Sequence, residues 1–271
     1  MTKTYLVDGV DLNDEAQGWI LDSATKLPAA ASRRTTLVEL PSRDGAIPVP
    51  GGMGTGTVAV SVSVVAGSAK SLKTRLSVLA ALMSQATVLS MVEGGARFDV
   101  EVLEVTVGDP DFLGWDSAGT WASVTSVFTV APYWSRPSLI TQTVTVDGEN
   151  IVLSKFAGAT GPLADSVFRF SGPLTGVRVT SRHSTFFEVA NLVGSGFYLY
   201  VSPAALKSWV TTSAASWRPL TSSRPLDYGP GGVPSFWPTV TGPDLTEMRV
   251  TVELTNAATT QMTVRGRAWY L

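Results

Sequence analysis

The chain has no cysteine and a single histidine among its 271 residues, and only 15% of its side chains are charged. Without cysteine there is no disulfide framework, no thiolate metal site and no cysteine nucleophile, and His183 alone cannot build a histidine-rich metal centre. Excess charge of either sign is also missing. With 20 basic and 22 acidic side chains the formal net charge is −2, which gives no general attraction for polyanions and argues against nucleic-acid binding as the main task. An average soluble domain is about 25% charged, so the 59 serines and threonines must supply much of the polar surface here. A surface that is polar but weakly charged suits a subunit whose faces meet copies or partners. Long apolar runs are scarce as well. Leu76–Val92 is the most apolar stretch, yet serines, Gln85 and Thr87 interrupt it, whereas a spanning helix needs about 20 predominantly apolar residues. Residues 1–17 carry four carboxylates and no unbroken apolar core, so they do not read as a secretory signal. The expectation is a soluble chain, made in a cytoplasm, with no membrane contact.

What the sequence does have is period two, the spacing at which side chains alternate between the faces of a sheet. Val58, Val60, Val62 and Val64 alternate with small and polar residues, predicting a half-buried strand. Phe98, Val100 and Val102 alternate in phase, then Leu103, Val105 and Val107 resume one residue out of step, predicting a bulge near Val102 and Leu103. Glu93-Gly94-Gly95-Ala96 reads as the hairpin turn before that strand. Ala122 to Val130 gives another strand, closed by Pro132. Only Ser68 to Gln85 reads as a helix: Leu72, Leu76, Leu79, Ala80 and Met83 form one stripe, with Ser68 or Ser71 as N-cap. A helix with one apolar stripe is expected to lie across a sheet.

Composition changes past Arg136-Pro137. Fifteen of the 24 aromatics lie in residues 141–271, and the formal charge is −4 in residues 1–140 against +2 afterwards. This places a boundary near 137, giving domains 1–136 and 137–271. The second half offers short strands at 140–146, 167–170, 177–180, 185–189, 197–201, 247–254 and 261–269, separated by glycine and proline, the pattern of a β-sandwich or jelly roll.

No catalytic constellation is marked. His183 has no glycine-framed serine partner, no pair of carboxylates stands out for glycoside cleavage, and the expectation is a protein that is not an enzyme and carries no cofactor. Asp109, Asp111 and Asp116 cluster, but the ligand spacing of a calcium loop fails at Leu113, so no metal site is assigned. Gly51 to Gly56 lacks the lysine of a phosphate loop and reads as a flexible turn. Arg33-Arg34 and Arg265/Arg267 read as solvated or salt-bridged positions. Trp209, Trp217, Tyr228 and Trp237, with Phe236, fall in or near expected loops. Core or interface packing is the ordinary role of such side chains; stacking on sugar rings is the rival one. The loop Pro41–Gly56, with prolines at 41, 48 and 50 and five glycines, is long for a hairpin connection. It is expected to be an arm reaching a neighbour, with Arg43, Asp44, Gly45, Pro48, Pro50 and Gly54 as candidate ring-interface residues.

Taken in order, Tyr5-Leu6-Val7-Asp8-Gly9-Val10, Leu37 to Gly45 with its Arg43-Asp44-Gly45 segment, the valine strand, the single helix, the bulged strand and Val127-Phe128-Thr129-Val130-Ala131-Pro132-Tyr133-Trp134 resemble the distal tail protein (Dit) family of long-tailed, non-contractile bacteriophages. Some members are called minor tail proteins. The resemblance implies a mainly β chain: an N-terminal tail-tube-like β-sandwich or split barrel with one flanking α-helix, and a C-terminal galectin-like β-sandwich of jelly-roll type. It also implies a homo-hexameric ring at the distal end of the tail tube, in the virion's tail tip. The ring would line the DNA channel without binding DNA specifically, and meet the tail tube protein, the tape measure protein and tail-tip or baseplate proteins. No galectin sugar-binding signature is found, so no binding residues carry over. The rival reading is a carbohydrate-binding receptor-recognition module of a phage tail tip.

Overall fold

A computed structural model describes residues 3–23, 25, 28, 31–39, 46–112, 120–146, 150–181, 185–229, 236, 246–255, 257 and 259–271. The chain is mainly β and divides into two compact units, 1–134 with 271, and 135–270.

The first unit contains β1 (Lys3–Val7), β2 (Val10–Asp11), β3 (Trp19–Leu21), β4 (Arg33–Glu39), β5 (Ala46–Met53), β6 (Gly56–Val65), α1 (Ala69–Ser84), β7 (Val88–Glu93), β8 (Ala96–Val107) and β9 (Trp121–Val130). Seven strands hydrogen-bond in the order β2-β1-β7-β8-β9-β6-β3. The valine alternation of β6 puts Val58, Val60, Val62 and Val64 fully inside. Against this face lies α1, whose Leu72, Leu76, Leu79 and Met83 are buried. Ser68 is its N-cap, the hydroxyl accepting from Ser71 N at 3.2 Å, which satisfies one of the orphan donors of the first turn.

Two turns fix the sheet's hydrogen-bonded order. At Gly94 and Gly95 φ is +58° and +79°, the left-handed pair that a two-residue hairpin needs and glycine supplies without strain. Asp8-Gly9 does the same between β1 and β2, with φ of +48° and +86°. The Asp8 carboxylate then accepts from Thr87 Oγ1 at 2.7 Å and from Val88 N at 2.8 Å, clamping the start of β7. The bulge expected in β8 is present as a register slip between Val102 and Glu104.

One expectation is corrected. Residues 46–53 are not part of a loop: β5 pairs with β4 as a ribbon of its own, from Glu39↔Ala46 to Arg33↔Met53. Gly51 and Gly52 therefore lie in a strand rather than a flexible turn. A proline is tolerated in a ladder only at positions that give no ladder hydrogen bond, and Pro48 and Pro50, two residues apart, both meet that condition along one edge.

The second unit is a sandwich. One sheet runs β11 (Ile140–Val146), β21 (Thr260–Gly266), β13 (Val167–Ser171), β16 (Tyr198–Ser202), β17 (Lys207–Thr211), β18 (Arg224–Pro225). The other runs β12 (Asn150–Val152), β20 (Arg249–Thr255), β14 (Leu174–Thr180), β15 (Phe186–Val193), β19 (Asp227–Tyr228). The short strands β10 (Trp134–Ser135) and β22 (Trp269–Tyr270) complete the set. Alternating inward residues of both sheets form one apolar core, with the rings of Phe168, Phe187 and Phe236 packed at centroid distances of 4.9 to 5.9 Å. Phe236, expected in or near a loop, is a core residue.

Candidate functional site

In the first unit the features open to partners are edges and one sheet face. Strand β6 is paired along its whole length by β9, but β3 covers its other edge only at Val62, Ser63 and Val64. The chain continues along that edge as far as Ser61, where Asp22 N donates to Ser61 O at 2.9 Å and Ser61 N donates to Thr25 Oγ1 at 3.1 Å. Past Ser61, residues 57–60 have no partner strand on that side among the described residues. A bare edge displays N–H and C=O groups that another chain can complete.

The ribbon β4–β5 is a second open element. Its base is closed by Gly54, whose N–H donates to Ser32 O at 2.7 Å. Neither of its strands pairs with any other among the described residues. The two prolines strip N–H donors from the outer edge of β5, so the outer edge of β4 is the one able to accept a further strand. Of the predicted interface residues, the ribbon thus holds Pro48 and Pro50 on one strand and Gly54 at its base. Arg43, Asp44 and Gly45 lie outside the described residues.

The face of β6, β9 and β8 turned away from α1 is poor in charge. Across 56–65, 121–130 and 104–107 it presents hydroxyls such as Thr57, Thr125 and Thr129, the exposed apolar side chains Val65, Trp121 and Val127, and one carboxylate, Glu104, with no lysine or arginine. Asp22 sits over it, accepting from Ser63 Oγ at 2.8 Å and Ser123 Oγ at 3.0 Å. Farther along β8 Arg97 pairs with Asp99 at 2.7 Å, and on neighbouring strands Lys3 of β1 pairs with Glu93 of β7 at 3.1 Å.

Of the sugar-stacking candidates, Trp209 and Trp217 are brought together around Tyr200, by packing. Trp209 lies in β17, not in a loop, is 2% exposed, and stacks on Tyr200 with centroids 5.4 Å apart; its Nε1 donates to Ser216 O at 3.0 Å. Trp217 packs edge-on to Tyr200 and lies 5.3 Å from both Arg169 and Arg265. Cation–π contact of this kind holds the loop down on the sheet. Only Tyr228 keeps an exposed ring, at 45%. Trp237 and His183 lie outside the described residues. The strand at 207–211 escaped notice because Lys207-Ser208-Trp209 lacks alternation, and its signal is carried by Tyr200 opposite Trp209 instead. Arg267 is paired with Asp165 at 3.4 Å. Among the described residues there is no group of three or more histidine, aspartate or glutamate side chains able to hold a metal, and no helix long and apolar enough to cross a membrane.

The sequence matches no protein-family model and no curated protein. Comparison with solved structures does find relatives. The Dit protein (gp 19.1) of bacteriophage SPP1, described as a paradigm of the hub adsorption apparatus in phages infecting Gram-positive bacteria, matches over 100% of both chains with 16% identity and a TM-score of 0.58. Two structures of the phage p2 baseplate in its activated conformation, with calcium and with strontium, match over the same full lengths with 11% identity, at TM-scores of 0.31 and 0.30 that carry no weight here. The chain therefore has the fold of the SPP1 Dit protein.

Proposed function

We propose that this chain is a non-catalytic structural protein of a bacteriophage tail. Six copies form a ring at the distal end of the tail tube, joining the tube to tail-tip or baseplate proteins, and the ring is assembled in the host cytoplasm. The observation that carries this reading is the placement of open pairing edges in the first unit, β6 at 57–60 and the ribbon β4–β5, on a chain whose fold is that of a phage hub protein. A closed ring is built from a heterologous contact, one face meeting a different face of the next copy with a rotation that closes. Complementary strand edges are material for such a contact. An isolated two-stranded ribbon is at best marginally stable in water, which favours a ribbon completed by a neighbour. The charge-poor face of β6, β9 and β8 suits a channel wall: every cation paired with phosphate would raise affinity for passing DNA through counterion release, and across 56–65, 121–130 and 104–107 this face has none.

Replacing residues 34–52 with two glycines, across the gap that Ser32 and Gly54 already close, tests the reading. Native mass spectrometry and negative-stain imaging of the parent protein should show six-membered rings with a central hole. The shortened chain should stay folded by circular dichroism and run as a monomer. Rings that persist unchanged would remove the ribbon from the interface; a parent protein that stays monomeric at high concentration would remove the ring.

A further inference from the structure

The two sheets of the second unit are stitched together along one side by the run Arg224–Tyr228. Arg224 and Pro225 pair with Ser208 and Lys207 of β17, and Asp227 and Tyr228 with Glu188 and Phe187 of β15. Between them Leu226 N donates to Leu206 O at 3.0 Å, and the Leu226 side chain is buried. The stitch is short. Beyond Glu188 on β15 and beyond Ser208 on β17, the facing edges of the two sheets have no further partner among the described residues. They leave a cleft of about 250 Å³, lined by Asn191, Leu192, Ser208, Trp209, Val210, Arg224 of β18 and, from the loop before it, Ser222.

Three features of this cleft point to a ligand. First, β15 carries a bulge beside it. Leu174 faces Val193 and Gly176 faces Ala190, so Asn191 and Leu192 both stand opposite Thr175. One extra residue re-aims side chains, and bulges recur beside binding sites for that reason. Leu192 is left 77% exposed, a position an aliphatic side chain gains nothing from unless something covers it. Second, Arg224 is an exposed cation whose guanidinium has no ion-pair or hydrogen-bond partner among the described residues. No carboxylate lines the cleft to neutralise it. Third, the remaining polar groups are neutral: the Asn191 amide offers donors and an acceptor, and Ser208 and Ser222 offer hydroxyls.

We propose that this cleft binds one hydroxyl-rich anionic unit, a sugar acid or a polyol phosphate. Arg224 takes the anion, since a planar guanidinium can present two parallel N–H donors to a carboxylate or phosphate. Asn191, Ser208 and Ser222 take the ligand's hydroxyls, and Leu192 covers its C–H face. At about 250 Å³ the cleft is below the usual range of about 300–1,000 Å³ for drug-sized ligands, so it fits a single unit rather than a chain of them. The site uses none of the four aromatics first considered for sugar stacking except Trp209, whose indole remains stacked on Tyr200. It is independent of the ring reading, because every residue belongs to the second unit.

Saturation-transfer NMR and isothermal titration on the full-length protein test it, with glucuronate, sn-glycerol 3-phosphate and neutral glucose as probes. Binding of glucuronate alone identifies the sugar acid, of glycerol phosphate alone the polyol phosphate, and of both the shared anion site; each supports the proposal. Millimolar affinity is expected for so small a ligand. Arg224→Ala should weaken binding tenfold or more, and Leu192→Glu, which puts a carboxylate at the mouth, should do likewise. Both positions are exposed, so circular dichroism should be unchanged. The proposal is overturned if neither anion binds, if glucose binds as well as they do, or if Arg224→Ala leaves the affinity unaltered.

Discussion

The two units solve the problem of covering a sheet differently. The second brings two sheets face to face and fills the gap with phenylalanine rings, so both inner faces are buried by the chain itself. The first buries one face of its sheet under a single helix. Its other face stays small, hydroxylated and largely uncharged, and the strand edge at 57–60 and the ribbon β4–β5 are left without partner strands among the described residues. Both units leave strand edges unpaired among the described residues, but the first alone carries a ribbon that pairs with no other strand.

The largest expected effect breaks the self-sufficient unit. Phe168 is fully buried, 4.9 Å from the Phe236 ring and 5.4 Å from that of Phe187. Phe168→Ala should cost about 3–5 kcal/mol, the transfer free energy of the ring plus the cavity it leaves. Differential scanning calorimetry should show one transition falling steeply while the other, that of the first unit, keeps its midpoint. If both midpoints fall together, the units are not independent in stability.

A smaller effect is expected at the clamp between β1 and β7. Burial alone would raise the Asp8 pKa, but hydrogen bonds from the Thr87 hydroxyl and from the Val88 and Thr87 N–H groups outweigh it and hold the carboxyl below its ordinary value of 3.8. A depressed carboxylate pKa adds stability that is present above the unfolded-state value and is lost as pH falls through the folded-state value. Asp8→Asn keeps a residue that tolerates positive φ but loses the charge. It should cost about 1 kcal/mol at pH 7, and the gap from the parent protein should close on acidification below pH 3.8. Urea melts at both ends of that range check it; a gap independent of pH would mean that the charge contributes nothing.

These contrasts were unevenly legible in the sequence. Where burial is one-sided, period carries the information: the valines of β6, the stripe Leu72-Leu76-Leu79-Met83 and the phase slip in β8 all appear as read, and of the two serines offered as N-cap, Ser68 is the one used. The ribbon β4–β5 did not declare itself, because prolines and glycines at 48, 50, 51 and 52 are turn formers in most settings, and only the absence of further pairing lets them sit in a strand. For Trp209 and Trp217 the sequence leaves packing and sugar stacking both open. An aromatic between polar residues looks the same whether it meets solvent or a loop folded back over it, and here Tyr200, Arg169 and Arg265, remote in sequence, decide the matter. The cleft beside Arg224 left no sequence signal at all, since it arises where a short stitch between two sheets stops.

The finest test concerns how well the first unit's core is satisfied. Tyr5 is 2% exposed and its hydroxyl has no hydrogen-bond partner among the described residues. Burial, with a further push from Glu93, raises its pKa from 10.0 to about 12. A buried hydroxyl without a partner costs desolvation and returns nothing, so Tyr5→Phe should be neutral or stabilising by up to about 1 kcal/mol at pH 7. For a phenol whose folded-state pKa is raised, the contribution is intact below the unfolded-state value and is lost as pH climbs from 10.0 towards 12, because the unfolded chain ionises first. The parent protein should therefore lose about 1.4 kcal/mol per pH unit through that window relative to Tyr5→Phe. Thermal melts at pH 7 and across the alkaline limb check both parts. A destabilised variant at pH 7 would mean that the hydroxyl does find a partner in the folded chain.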